Sequence, residues 1–213
     1  MSQAAWLTLL QGAAVTLGCS LAAILLGVAL GLAIAIARRA GIPVISRLLA
    51  VYVSLVRATP LITLCLVISL GLPVIGFDIS APLAAILSLS INTSSFHSEI
   101  WRGGLDAFPS DQDDAARAFG LSTSERLFLI VLPQVWPTVL PNLINEMTIL
   151  IKNSPAIAML GIVDITRAAV RIGADTFDPL PPLFVALALY VSLVAVLLIA
   201  QKVAARRLRS FAS

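Results

Sequence analysis

Long apolar runs, separated by short clusters of arginine, proline and glycine, organise the chain. A helix needs ~20 predominantly apolar residues to cross a hydrocarbon core ~30 Å thick. Five runs meet that test by their borders: about 12–37, closed by Arg38-Arg39; 47–71, before Pro73; 82–98; 137–151, ending near Pro155; and 181–201. The third and fourth are the least hydrophobic. Between them, over about 101–133, the pattern turns polar and reads as two short helices joined by a turn. The expectation is an all-α integral membrane protein with five transmembrane helices, forming a single domain over 1–213.

Composition agrees. The chain is 59% apolar and 12% charged, with mean hydropathy +1.01. Soluble domains carry about a quarter charged residues, so a soluble enzyme, a disulfide scaffold and a disordered tail are all excluded. The net charge of +3 reports topology, not nucleic-acid binding, because the basic residues sit at the ends of apolar runs. Arg38, Arg39, Arg47, Arg102, Arg117, Arg126, Lys202, Arg206, Arg207 and Arg209 all fall on one side if there are five spans. That side is cytoplasmic by the positive-inside bias, which leaves the N-terminus outside and the C-terminus inside. Residues 1–37 carry no charge and no basic n-region, so the stretch reads as mature protein. Cys19 and Cys65 lie within apolar runs without metal-ligand spacing and read as packing residues. Gly27 and Gly31 form a GxxxG, a spacing that admits a close helix neighbour.

The polar segment carries the most local information. Ser110 stands where it can cap a helix whose first turn holds Asp111 and Asp113, with Asp114 following, and carboxylates there complement the helix dipole. Arg117 precedes Gly120, the residue type that ends a helix in a left-handed conformation. Ser122-Thr123-Ser124-Glu125 fits a capping box for a second helix running to Leu132, before Pro133. Helices this short are marginal alone, so a docked partner is expected.

Within this segment Asp114-Ala115-Ala116, Gly120 and Ile130-Val131-Leu132-Pro133 resemble the EAA motif of ABC-transporter permease subunits, with Asp114 in place of the usual Glu. Arg57-Ala58-Thr59-Pro60-Leu61, Ser98-Glu99-Ile100-Trp101-Arg102-Gly103-Gly104, Leu132-Pro133-Gln134, Asn145-Glu146 and Ile151-Lys152-Asn153-Ser154 are similar to stretches of the polar-amino-acid importer permeases. The likeness runs in order over about residues 10–205. It implies the type I ABC importer permease fold, with Asp111 to Phe119 as the coupling helix and Asp111, Asp113, Asp114, Ala115, Ala116, Arg117 and Gly120 as the ATPase-coupling residues. It further implies a second permease subunit, identical or homologous, two cytoplasmic ATPase subunits, a periplasmic or extracellular substrate-binding protein, and residence in a bacterial inner membrane.

The chain has no GxxxxGK[ST] phosphate loop, and its only lysines are Lys152 and Lys202. ATP and Mg2+ therefore belong to a partner ATPase, and this chain is a translocation subunit, not an enzyme; His97 has no Cys or His partner nearby and reads as packing or pore-facing. Ionisable residues inside spans mark functional sites. At 100° per residue Asn142, Asn145, Glu146, Ile149, Lys152 and Asn153 fall within an arc of about 120°. Glu146 offers an acceptor for an ammonium, and Lys152, Asn153 or Ser154 offer donors for a carboxylate. Ser88, Asn92, Ser95 and Glu99 share one side of the third span. Asn92 and Ser95 join the substrate or pore set; Glu99, Arg102 and Arg57 read as gate or structural residues, Arg57 with Thr59-Pro60 as a kink and ion-pair site. The leading expectation is ATP-driven import of a polar amino acid or derivative by alternating access. An ion-gradient-driven secondary transporter, with Glu146 or Glu99 as proton site, and a non-transporting scaffold are the other readings.

Overall fold

The computed structural model describes residues 1–211, and side-chain surroundings for residues 1–203. Arg206, Arg207 and Arg209 lie in the last helix with their side chains outside that range. Every described element is helical. In order they are α1 (Gln3–Arg39), α2 (Pro43–Ala58), α3 (Leu61–Val74), α4 (Ala81–Asp106), α5 (Ser110–Ala118), α6 (Thr123–Glu125), a π-helical turn (Arg126–Val131), α7 (Leu132–Asn153), a 3-10 turn (Ser154–Leu160), α8 (Ile165–Thr176) and α9 (Leu180–Phe211).

α4 is the axis of the bundle, contacting α1, α2, α3 and α7. Its burial explains why the least apolar run sits at the centre: Ser88, Thr93, Ser94, Ser95, His97 and Ser98 are all fully buried, surrounded by protein. The GxxxG of α1 is the contact that lets α4 in. A Cβ on Gly27 would stand 1.9 Å from Thr93 Cγ2, and one on Gly31 2.7 Å from His97 Cβ. Two apolar clusters flank this crossing, one around Leu89, Leu150 and Ile157, the other around Trp101, Val135 and Leu143. A third joins α8 and α9 to the start of α1 through Leu9, Ile165 and Ala186.

Several boundaries differ from the sequence expectation. The second run is not one straight helix: α2 and α3 meet at Thr59-Pro60 with a bend of 110°. Proline has no N–H and drives its predecessor out of the α region, and Thr59 is extended at φ −86°, ψ 128°. Among the described residues, three helices are long and apolar enough to cross a membrane, Gln3–Arg39, Thr123–Leu160 and Leu180–Val203, or up to four if the bent pair is one span. α4 extends to Asp106, eight residues past the expected end at Ser98. The helix after Ser122 does not stop at Pro133. It loosens into the π turn and runs on, with Pro133 in the first turn of α7 and Pro137 and Pro141 inside it. At α5 the cap position belongs to Pro109; Ser110 is the first helical residue, and its hydroxyl reaches Asp111 Oδ1 at 3.4 Å. α8, read from the sequence only as a connection, is a helix capped by Asp164.

Candidate functional site

The bend at Thr59-Pro60 ends α2 at a point where Arg57 faces α4. Its guanidinium carbon lies 5.1 Å from the centre of the Phe96 ring, a cation–π contact. Arg57 and Glu146 of α7 are the two ionisable side chains nearest this face of α4, and no salt bridge joins them. The expected ion-pair role is not what the geometry gives: among the described residues Arg57 makes no salt bridge, and it is exposed. Glu146 is 8% exposed, with no described hydrogen-bond or ion-pair partner for its carboxylate. Phe96 was missed from the sequence, although it lies one turn beyond Asn92 on the same side of α4.

The rest of the α7 stripe divides. Asn142, Asn145, Ile149, Lys152 and Asn153 are exposed on the single chain, whereas Ser154 is fully buried and its hydroxyl donates to the Ile151 carbonyl at 2.8 Å. On α4, Asn92 is 9% exposed and Ser95 is fully buried, with its hydroxyl given to the Asn92 carbonyl at 2.6 Å. Ser88 and Ser98 bond their own helix in the same way. These hydroxyl protons are therefore spent locally. His97 packs against Gly31 of α1 and is fully buried.

At the other end of α4 a chain of charges ties three turns together. Glu99 accepts from Arg38 of α1 and, at 2.7 Å, from Arg102; Arg102 also meets Asp106 at 2.8 Å. Arg39 donates to the Leu105 carbonyl at 2.8 Å. Glu99 and Arg102 thus act as a brace between α1 and α4. Trp101, one residue away, stacks on Trp136 of α7 at 5.5 Å.

α5 is held by Asp113, whose carboxylate accepts from Arg126 at 2.9 Å. Ala116 turns inward at 5% exposure, while Asp111, Asp114, Ala115, Arg117 and Phe119 stay exposed. Gly120 closes the helix at φ 82°. The following capping box forms in full: Ser122 Oγ accepts from the Glu125 N–H and the Glu125 carboxylate accepts from the Ser122 N–H. The Ser122 hydroxyl, and after it the backbone N–H, hold the Glu125 carboxyl below its ordinary range. The outcome is a short helix closed at its C-terminus by Gly120, tied to the π turn through Asp113, with one buried and one free face.

This arrangement recurs in known proteins. Residues 23–210 match the family model described as "Binding-protein-dependent transport system inner membrane component". The arginine transport system permease protein ArtQ of Bacillus subtilis (strain 168) is 32% identical over 203 residues, 95% of this chain and 93% of the relative. The probable glutamine ABC transporter permease protein GlnP of the same organism is 33% identical over 168 residues, 79% and 77% of the two chains. Among solved structures, an amino acid ABC transporter with histidines superposes with TM-score 0.85 and 30% identity over 94% of both chains. An inward-facing MetNI methionine ABC transporter shares the fold at TM-score 0.84 and 21% identity, over 97% of this chain and 99% of the other. An all-helical membrane chain, a capped polar hairpin and these likenesses together make the protein a member of the binding-protein-dependent transport system inner membrane component family, with the type I ABC importer permease fold.

Proposed function

We propose that this permease moves a polar amino acid or amino-acid derivative into the cytoplasm by alternating access, using Arg57 and Glu146 as a complementary pair for the two charged ends of a zwitterion. The observation that carries the reading is Glu146, 8% exposed on α7 with no described partner for its carboxylate, together with the Arg57 guanidinium held on Phe96 of the neighbouring α4. An α-amino acid brings an ammonium to the first and a carboxylate to the second, and each meets the charge it lacks in the empty site. Asn92 lies on the Phe96 side of α4 and completes the set with a neutral donor and acceptor.

The chain spans the membrane five times in this reading, by α1, the bent α2–α3 pair, α4, α7 and α9, with its N-terminus outside. Asn142, Asn145 and Asn153 then face a second permease subunit, since a polar stripe on lipid is excluded by its cost, while Lys152 lines a groove against α9. The exposed face of α5, with Asp111, Asp114, Ala115 and Arg117, seats in a cytoplasmic ATPase. ATP-bound closure of two such ATPases pushes the rigid α5, the pair of permeases opens outward, a binding protein unloads, and hydrolysis returns the pathway inward. ArtQ and GlnP, named for arginine and glutamine transport, support the amino-acid class and leave the side chain open.

The test is uptake by the reconstituted complex carrying Glu146→Gln. The isosteric amide keeps the volume and removes the charge that meets the ammonium. Expected is a rise in the substrate concentration for half-maximal uptake, with complex assembly unchanged; wild-type uptake kinetics would remove Glu146 from the site.

A further inference from the structure

We propose that the cavity at the Arg39 end of α1 binds the phosphate headgroup of an anionic phospholipid, with its acyl chain along α1 and the π turn. The cavity has a volume of about 370 Å³ and lies between α1 and the Thr123–Val131 stretch. Its wall is apolar, from Ile36, Leu127 and Val131, and its polar side carries Arg39, Ser124 and the ion pair of Arg126 with Asp113. A headgroup with a hydrocarbon tail matches that division. A second cavity of about 230 Å³, lined by Arg38, Ser46 and Arg102, adjoins at Arg39, which lines both.

Charge bookkeeping singles out Arg39. Arg38 and Arg102 are neutralised by Glu99 and Asp106, and Arg126 by Asp113. Arg39 has only the Leu105 carbonyl among the described residues, and it is exposed. A net cation with spare donors selects an anion; a zwitterionic headgroup brings an ammonium that Arg39 repels.

The surroundings are apolar enough to meet lipid. Phe128 is 60% exposed and Leu129 67% exposed beside it, and the start of α2 presents Ile42, Val44 and Leu48, exposed by 49%, 67% and 65%. Apolar side chains flanking an arginine-lined cavity at the end of a transmembrane helix form an interfacial pocket of the kind that holds anionic lipid headgroups. Which leaflet supplies the lipid rests on the orientation given above; the chemistry of the site does not.

The experiment uses the intact complex in nanodiscs of phosphatidylethanolamine and phosphatidylglycerol, with bound lipid counted by native mass spectrometry. Wild type retains phosphatidylglycerol over phosphatidylethanolamine about fivefold more than Arg39→Gln, the factor for one basic residue near a lipid surface. Arg39→Lys keeps the preference, and Ile36→Trp, which fills the apolar wall, loses it. Equal lipid ratios in wild type and Arg39→Gln overturn the proposal. Displacement of the lipid by millimolar inorganic phosphate also overturns it, in favour of a free anion. The leaflet is read separately by labelling Ala107→Cys, an exposed site of ordinary backbone at the same end of the bundle, with a membrane-impermeant maleimide, since Cys19 and Cys65 are buried. Labelling from the outside contradicts the orientation and leaves the lipid ratio standing.

Discussion

Gly31→Ala tests whether the α1–α4 crossing is as close as the packing requires. The added Cβ would lie 2.7 Å from His97 Cβ, 3.0 Å from the Ser98 nitrogen and 3.1 Å from the His97 carbonyl carbon. None of these atoms ends a flexible side chain, so relief demands movement of one helix away from the other. Overpacking of this kind costs about 1–3 kcal/mol. The same change also improves helix propensity by ~1 kcal/mol, so a single variant mixes two effects of opposite sign. Gly18 separates them: it lies in the same helix with nothing within 4 Å of its Cβ position. Gly18→Ala therefore gains propensity without a clash, and the difference between the two variants isolates the packing cost of ~1–3 kcal/mol. Gly27→Ala falls between them, because its obstacle, Thr93 Cγ2 at 1.9 Å, is a methyl that turns about one bond, and Thr93 Oγ1 has no described hydrogen bond to lose. Cys19 and Cys65 are buried thiols that become reactive on unfolding. Labelling of this chain by a thiol-reactive dye during a thermal ramp, read after gel separation from its partners, gives the midpoints. The expected order is Gly18→Ala highest, then Gly27→Ala, then Gly31→Ala, with the extremes separated by several degrees. Coincident midpoints for Gly18→Ala and Gly31→Ala would refute the close crossing.

Three further outcomes follow from the same geometry. Gly120→Asp puts a side chain at φ 82°, where only glycine is free of strain, beside the exposed face of α5; membrane insertion should survive while ATP hydrolysis and uptake separate, and normal ATP-driven uptake would count against α5 as the coupling element. Tyr190→Phe removes a donor that reaches fully buried Asp164 at 3.2 Å and Thr166 at 3.1 Å, so the thermal midpoint should fall by the equivalent of ~1–3 kcal/mol, and an unchanged midpoint would show that the bond contributes nothing. The Glu125 carboxyl is held below its ordinary range, so its cap is at full strength above the unfolded value of ~4.3 and is lost as pH falls through the lower folded value. Hydrogen exchange of the Ser122 and Glu125 amides should accelerate there relative to Glu125→Gln, and identical pH profiles for the two would contradict the assignment.

What the sequence carried and what it withheld divide by the range of the interaction. The capping box at Ser122 and Glu125, the left-handed Gly120 and the Glu99–Arg102 pair are each decided within a few residues, and all form. Gly27 and Gly31 declared a close contact, yet only the fold shows that α4 is the neighbour. Proline was the poorest guide. Pro60 breaks the second run by 110°, while Pro133, Pro137 and Pro141 are absorbed in a continuous helix. The difference lies in a π turn that precedes the latter group, a feature with no local signature. α8 was legible, since Asp164 caps it and Ile165, Ala168, Ala169 and Ile172 recur at helical spacing on its buried side. The α7 arc identified residues that share a face but not which of them another helix covers. Glu146 is buried and Asn145 is exposed, although they are adjacent in the chain. Arg57 belongs with Glu146 only because the chain turns at Pro60, and that turn is a property of the fold.

The most direct test of the central claim is the ATPase activity of this permease reconstituted in lipid with its co-purified partners, measured with a panel of amino acids and the cognate binding protein. The account predicts that one loaded binding protein stimulates hydrolysis and that uptake of its ligand requires ATP. Uptake that follows an ion gradient, with no ATPase present, would contradict it.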